Sequence, residues 1–378
     1  MRFVFFYHSF VSCWNHGNAH FLRGITRELI ALGHQVIVYE PEDSWSRLNA
    51  VSEGQTAALQ AAAKIVPGVE LRRYASDAPD LERSLEEADI VLVHEWNAPE
   101  LVARIGLHRA QGGSFLLFFH DTHHRGVTAP QEIERFDLDG YDGVLAFGEI
   151  LRDIYRRRGW GRQAFTWHEA ADAALFHPMP HLEKDLDLVW VGNWGDGERS
   201  DELMAFLLSP VARLGISARV HGVRYPDDAQ KALALHGIAY AGWLPNHCVP
   251  DAFARARVTL HVPRRPYATA LPGIPTIRVF EALACGIPLI SAPWNDVEEL
   301  FPKGAYLPVG TSDEMAAGIS LVLRDRDFAA EMIHTGLQAI QTRHTCLHRV
   351  QELFAIIRTY QAASDRRRSS NTDLVVTA

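Results

Sequence analysis

Arg278 and Glu281 stand three residues apart in the segment ALPGIPTIRVFEALACGIPLISAPW, residues 270–294, a spacing that puts both on one face of the helix they share. A carboxylate placed this way can accept two hydroxyl hydrogens from a ribose, as the acidic residue of doubly wound nucleotide sites does. The LPGIP run ahead of it lets backbone approach a ligand, because Gly273 has no side chain and Pro272 and Pro275 fix the loop. An Arg–Glu helix pair without any ligand accounts for the same two residues equally well. A second segment, VWVGNWGDGERSDEL at 189–203, reads as a strand, a glycine-bearing turn and a helix start, a geometry in which backbone N–H groups approach a phosphate. It matches neither G-x-G-x-x-G nor the Walker A pattern. Arg199, at the start of that helix, either offers a fork of donors to a pyrophosphate or is a solvated first-turn arginine.

The elements that must carry these residues are short apolar runs alternating with amphipathic ones. RFVFF is a strand, AHFLRGITRELIALG a helix ending at Gly33, and HQVIVYE the next strand, which makes a βαβ unit and hence a parallel sheet. DIVLVHE, SFLLFFHD and GVLAFG continue the rhythm. After the irregular HEAADAALFHPMPHLEKD it restarts with LDLVWVGN and runs through ISARVHGV, VTLHVP and IPLISAP. The chain therefore reads as α/β, with two doubly wound Rossmann-like domains facing each other across a cleft. We place the first at 1–165, an interdomain linker at 166–183, the second at 184–345, a helix crossing back to the first domain at 346–364, and a frayed polar tail at 365–378. Two facing sheets of this kind put both sets of strand carboxyl ends, the usual ligand positions, on the cleft.

Composition sets the outer bounds. With 378 residues, 47% of them hydrophobic, the chain exceeds what one core usually holds. A formal net charge of −9 argues against a surface built for nucleic acid or anionic lipid. The four cysteines are scattered without C-x-x-C spacing, so neither a disulfide framework nor a zinc site is expected. No run approaches the roughly 18 apolar residues of a membrane span. These features fit the cytoplasm, with peripheral attachment at the inner membrane face compatible.

RVFEALACGIPLISAPWNDVEEL strongly resembles the donor-nucleotide segment of group-one glycosyltransferases of GT-B fold, whose EA-A-G-P run supplies a ribose-binding Glu. HEAADAALFHP is similar to the interdomain segment of that family, and YAGWLPNHCVPDAFARARVTLHVPR to the stretch whose loop contacts the base. VGNWGDGERSDEL, PGIPTIRVFEALACG and RHTCLHRVQEL look most like the CgeB-like branch. The resemblance implies a retaining, metal-independent transfer from a nucleoside-diphosphate sugar, a UDP-sugar first and a GDP- or dTDP-sugar as alternatives. The acceptor would be a glycan, a lipid-linked or a small-molecule hydroxyl. No cofactor beyond the donor substrate is implied. Glu281 is then similar to the ribose Glu, Arg199 to a pyrophosphate cation, and Gly192 and Asn193 to the adjoining turn. His120 and Asp121, ending the SFLLFFHD strand, resemble the first-domain position near the transferred sugar. SCWNHGNAH corresponds to the first strand-to-helix loop, where His16, Gly17 and Asn18 are the candidates.

Two departures stand out. Many relatives carry an E-x7-E pair, but the position eight before Glu281 is Gly273, and the usual Arg and Lys after the first strand of the second domain are replaced, with Asn193 at the Arg position. Backbone donors from PGIPT, including Thr276, and the side chains of Arg278 or Arg264 are expected to take over at the phosphates. The D-x-D strings at Asp137 and Asp139 and at Asp185 and Asp187 could hold a metal but are read as chance, and His168, His221 and His261 lack a metal-ligand pattern and are read as structural. A noncatalytic nucleotide-sugar-binding protein and a nucleotide-sugar epimerase of the same fold are the alternatives. The phosphorylase reading lacks a suggestively placed lysine.

Overall fold

The computed structural model describes residues 1–75 and 79–375, with side chains to residue 360. The first lobe is built on strands β1 (Arg2–Phe6), β2 (Gln35–Pro41), β3 (Glu70–Tyr74), β4 (Ile90–His94), β5 (Leu116–Asp121), β6 (Gly143–Ala146) and β7 (Ala164–Thr166). They form one sheet in the order β3-β2-β1-β4-β5-β6-β7, parallel at every pairing. The second lobe carries β8 (Leu186–Val191), β9 (Ala218–His221), β10 (Ile238–Tyr240), β11 (Ala256–His261), β12 (Leu289–Ser291) and β13 (Leu307–Pro308), ordered β10-β9-β8-β11-β12-β13 and again all parallel. Two doubly wound sheets are what the alternating runs imply.

The central strands are apolar on both faces because helices cover both faces of a parallel sheet. Phe3, Val4, Phe5 and Phe6 of β1 are all fully buried. Edge strands differ. In β3 only Tyr74 of ELRRY is buried, so the segment lacks the continuous apolar run that marks β1 or β4.

The chain crosses between the lobes twice, and the crossings bond to each other. Ala171 N donates to the His344 carbonyl and Cys346 N to the Ala171 carbonyl, both at 2.9 Å. The last helix, Cys346–Val375, packs on the helix Ala19–Ala31 of the first lobe, with the Phe354 ring 6.3 Å from Phe3. Its backbone is helical beyond residue 364, where a frayed tail is expected, and residues 376–378 of that tail lie outside the described residues. Among the described residues no helix is long and apolar enough to cross a membrane.

Candidate active site

The carboxyl ends of both sheets face the cleft. The loop after β1 is fixed from within the first lobe: Ser46 Oγ donates to the Trp14 carbonyl, Ser12 Oγ to the Ser46 carbonyl, and buried Arg23 to the Phe10 carbonyl. This holds Asn15, His16 and Gly17 against the second lobe, where Asn15 is hydrogen-bonded to Asn193. A Cβ on Gly17 would stand 3.1 Å from the Ile277 side chain, so the lobes meet tightly here. Two adjoining cavities result. One, of about 750 Å3, lies between Trp45, Trp96 and His123 on one side and Glu169, Arg264 and Tyr267 on the other. The deeper one, of about 180 Å3, is walled by Gly192, Asn193, Arg199, Trp243, Asn246 and Arg278. His16, Gly17, Asn193, Arg264, Thr276 and Ile277 border both.

Arg199 dominates the deeper cavity. Its guanidinium donates to the Val262 carbonyl at 3.1 Å, to the Asn193 carbonyl at 2.7 Å and to Asn193 Oδ1 at 2.5 Å, and lies 5.0 Å from the Trp190 ring centre. The turn makes room for it through Gly195, which has φ +98° and whose Cβ would sit 2.4 Å from Arg199 Cγ. The side chain is 9% exposed, its Nε has no partner, and among the described residues it forms no ion pair, Asp196 acting on it only from a distance. Burial, reinforced by Arg264 and Arg278, pulls its pKa down to about 9. The neighbouring arginines are neutralised: Arg264 by Glu198 at 2.7 Å and Asp196 at 3.4 Å, Arg224 by Asp196 at 3.1 Å, and Arg278 by Glu281. Arg199 is thus a buried cation among cations, held only by neutral acceptors, an arrangement that favours an incoming anion. Thr276 stands at the N-cap position of the helix Ile277–Cys285 without a side-chain bond to its first turn, whose N–H groups point toward the same space.

Glu281 is fully buried and borders neither cavity. Its Oε1 receives His20 Nδ1 at 2.5 Å and Asn246 Nδ2 at 3.2 Å, and its Oε2 pairs with Arg278. The His20 tautomer follows from its other nitrogen, since Nε2 accepts from Asp172 N at 2.9 Å and the proton must therefore sit on Nδ1. Where the resemblance implies a carboxylate facing a ribose, the structure puts one that ties the first-lobe helix to the second lobe, with Arg278 and Asn246 standing between it and the deeper cavity. Gly273 is also off the cavity. It has φ +90° and packs on Glu298, whose carboxylate accepts from Glu149 N at 2.8 Å and contacts His168 Nε2 at 2.6 Å across the lobes.

In the first lobe the structure separates residues that the sequence groups together. His16, 95% buried, reaches both cavities, with Nε2 unpartnered and burial pushing its pKa well down. Gly17 and Asn18 line the larger cavity beside it. His120 and Asp121 lie behind that surface, fully buried. His120 Nδ1 meets the Tyr7 hydroxyl at 2.7 Å and burial lowers its pKa to about 3, while Asp121 accepts from Tyr155 at 2.7 Å and His123 N at 3.0 Å. Thr122, the next residue, is the one that reaches the cavity.

The sequence reading omits Trp45, Trp96, Tyr267 and Glu169. Trp96 carries the Arg125 guanidinium 4.1 Å from its ring centre. Its signal was present, as a tryptophan two residues past the end of an apolar strand. Glu169 lies within HEAADAALFHP, and a carboxylate set among small apolar residues at a domain crossing was the available hint. The paired aspartates have local explanations: Asp137 accepts from Asp139 N, and Asp187 holds Ser217 and Arg257. Among the described residues no group of three His, Cys, Asp or Glu is placed to hold a metal. A further cavity, of about 1100 Å3 between the loop 294–304 and the helix Arg326–Arg343, shares no residue with the two cavities of the cleft.

Two parallel-sheet Rossmann-like domains of seven and six strands closing on a shared cleft define the GT-B fold. Solved structures of that architecture cover nearly the whole chain. Sucrose-phosphate synthase from Thermosynechococcus elongatus is 14% identical with a TM-score of 0.67, covering 96% of this chain and 100% of its own. Anabaena HepE, solved in complex with UDP, is 14% identical with a TM-score of 0.63, over 95% and 100%. T4 phage BGT, in complex with UDP and Mn2+, is 12% identical with a TM-score of 0.59, over 95% and 99%. The model of the glycosyl transferase-like family matches residues 199–355, a stretch that begins at Arg199 and takes in the whole donor-like segment. No curated protein matches the chain.

Proposed function

We propose that this chain is a glycosyltransferase that moves a sugar from a UDP-sugar to an acceptor hydroxyl, without a metal ion. The observation that carries the reading is Arg199, a buried guanidinium without an ion-pair partner where the turn after β8 enters the next helix, facing a cavity the size of a small polar ligand. A leaving diphosphate is the anion that such a cation suits. Fixed donors aimed at the charge that develops there supply the largest part of the rate in reactions of this kind. Support for the nucleotide comes from HepE and BGT, both solved with UDP on the same fold.

In this reading Arg199, Arg264 and the first turn at Thr276 bind the diphosphate, with Gly192 and Asn193 shaping the turn. Glu281 reaches the ribose by exchanging its bond to Arg278 for one to the sugar. The larger cavity, with His16, Trp45 and Trp96, takes the acceptor. Calorimetric titration with UDP-, GDP- and dTDP-sugars, followed by assay of nucleoside diphosphate release with and without cell-derived acceptor, tests it. Binding of a UDP-sugar with acceptor-stimulated release is expected. Binding without release under every condition would leave a binding protein, and no binding at all would remove the reading.

A further inference from the structure

One carboxyl of the cleft has no role in the scheme above. Glu169 borders the larger cavity beside Thr276 and Ile277 and is 6% exposed. Among the described residues neither a cation nor a hydrogen-bond donor partners its side chain, whereas Asp196 and Glu198 on the same wall are held by arginines. Its backbone is fixed: buried Arg349 donates through Nε to the Glu169 carbonyl at 3.2 Å, and Ala171, two residues on, is hydrogen-bonded in both directions to the second crossing of the chain. An unpaired buried acid is costly, and this one stands on a rigid segment at the wall of the larger cavity.

We propose that Glu169 is the group that takes the proton from the acceptor hydroxyl. The proposal rests on the glycosyltransferase reading and assigns a catalytic residue within it. As the acceptor oxygen bonds to the anomeric carbon, the bond from that carbon to the diphosphate oxygen breaks. The bonding pair leaves with the nucleoside diphosphate, and the hydroxyl proton passes to the Glu169 carboxylate. The competing proton acceptor is the departing diphosphate, which Arg199 makes a poorer base by stabilising its negative charge. His16 and His123 also border the cavity, but burial pushes both well below the usual histidine range and leaves them weak bases. Glu169 is shifted the other way. Burial, with Glu281 adding like charge against a smaller opposing effect of Arg278, raises it to about 8, and Tyr267 is the further titratable group facing it. A base with a pKa near the working pH transfers protons most effectively.

The test compares wild type, Glu169→Gln and Glu169→Ala with UDP and UDP-glucose. UDP affinity by calorimetry should agree among the three within about threefold, because the side chain binds no phosphate. UDP release from UDP-glucose, with water as acceptor, should rise in the wild type as pH passes through about 8. It should fall by about 100-fold or more in Glu169→Gln, with that rising limb gone. Azide, a nucleophile with no proton to lose, should accelerate UDP release by Glu169→Ala and leave the wild type unchanged. A Glu169→Gln rate close to wild type, a rising limb that survives the substitution, no acceleration by azide, or no release by the wild type at any pH overturns the assignment. Absence of UDP binding by the wild type would instead remove the glycosyltransferase reading.

Discussion

His20 Nδ1 donates to Glu281 Oε1 at 2.5 Å with both side chains fully buried, so a single hydrogen bond joins the first helix of one lobe to the nucleotide-side helix of the other. The stacking of His20 on Phe176, with ring centres 4.1 Å apart and planes 6° from parallel, fixes the imidazole, and Asp172 N fixes its tautomer. Removing the donor leaves a buried carboxylate short of a partner. His20→Ala should therefore cost about 2 to 3 kcal/mol. A urea titration checks it, and UDP affinity should fall with the midpoint, since Arg278 and Asn246 share the same carboxylate.

Arg199 predicts how nucleotide binding responds to salt. Burial pulls its pKa down, but a guanidinium keeps its proton at any working pH, so the charge is desolvated rather than lost and a bound diphosphate is the ion that offsets it. UDP affinity should therefore fall as ionic strength rises, and calorimetry at several salt concentrations measures the slope. Arg199→Ala should slow transfer by about 100- to 1000-fold. Arg199→Lys should recover only part of it, because an ammonium cannot reproduce the planar fork that meets Val262 and Asn193.

Gly222 is where two strand-end turns come into contact: a Cβ there would lie 1.8 Å from the Gly192 carbonyl oxygen. That oxygen belongs to the turn carrying Asn193, which in turn holds Arg199. Gly222→Ala must push the turns apart, at a cost of about 1 to 3 kcal/mol. A lower melting temperature together with weakened UDP binding is the expected pair of results.

These residues show which features were legible in the sequence. β1, β4 and β5 announce themselves through continuous apolar runs, because both of their faces are covered. β3 with its ELRRY pattern, and the two-residue β13, carry no such run and follow only from pairing with a neighbour. Arg199 and Arg278 were legible because a glycine turn and a helix start fix where they point. The cross-lobe partner of Glu281 was not. His20 lies 261 positions away in sequence, and no local spacing records that the two lobes close on each other there. The same holds for His120 against Thr122. Residues two apart share a face of a strand, so alternation cannot tell them apart; the strand ends at Asp121, and the packing of Trp167 and Phe21 on His120 seals that residue while Thr122 lies past the strand end at the cavity.

Metal removal separates two ways of neutralising the diphosphate. In the arrangement proposed here the charge meets Arg199, Arg264 and the first-turn N–H groups at Thr276, all supplied by the chain. Prolonged dialysis against EDTA should leave the rate of UDP release unchanged, and added Mn2+ should not raise it. A rate that falls on dialysis and returns with Mn2+ would transfer that role to a metal ion.

The final prediction concerns division of labour between the lobes. Trp96 and Trp45 line the first-lobe side of the larger cavity, their ring centres 6.2 Å apart and their planes at 77°, while the deeper cavity belongs mostly to the second lobe. Large rigid aromatic faces beside polar groups provide contact area for a flat or ring-shaped acceptor at little conformational cost. Neither ring borders the Arg199 cavity. Trp96→Ala should therefore leave UDP affinity unchanged while slowing transfer to a cell-derived acceptor, and its UDP release to water should stay near the wild-type rate. If UDP affinity fell in step with transfer, the aromatic wall would belong to the donor, and the assignment of the two cavities would have to be exchanged.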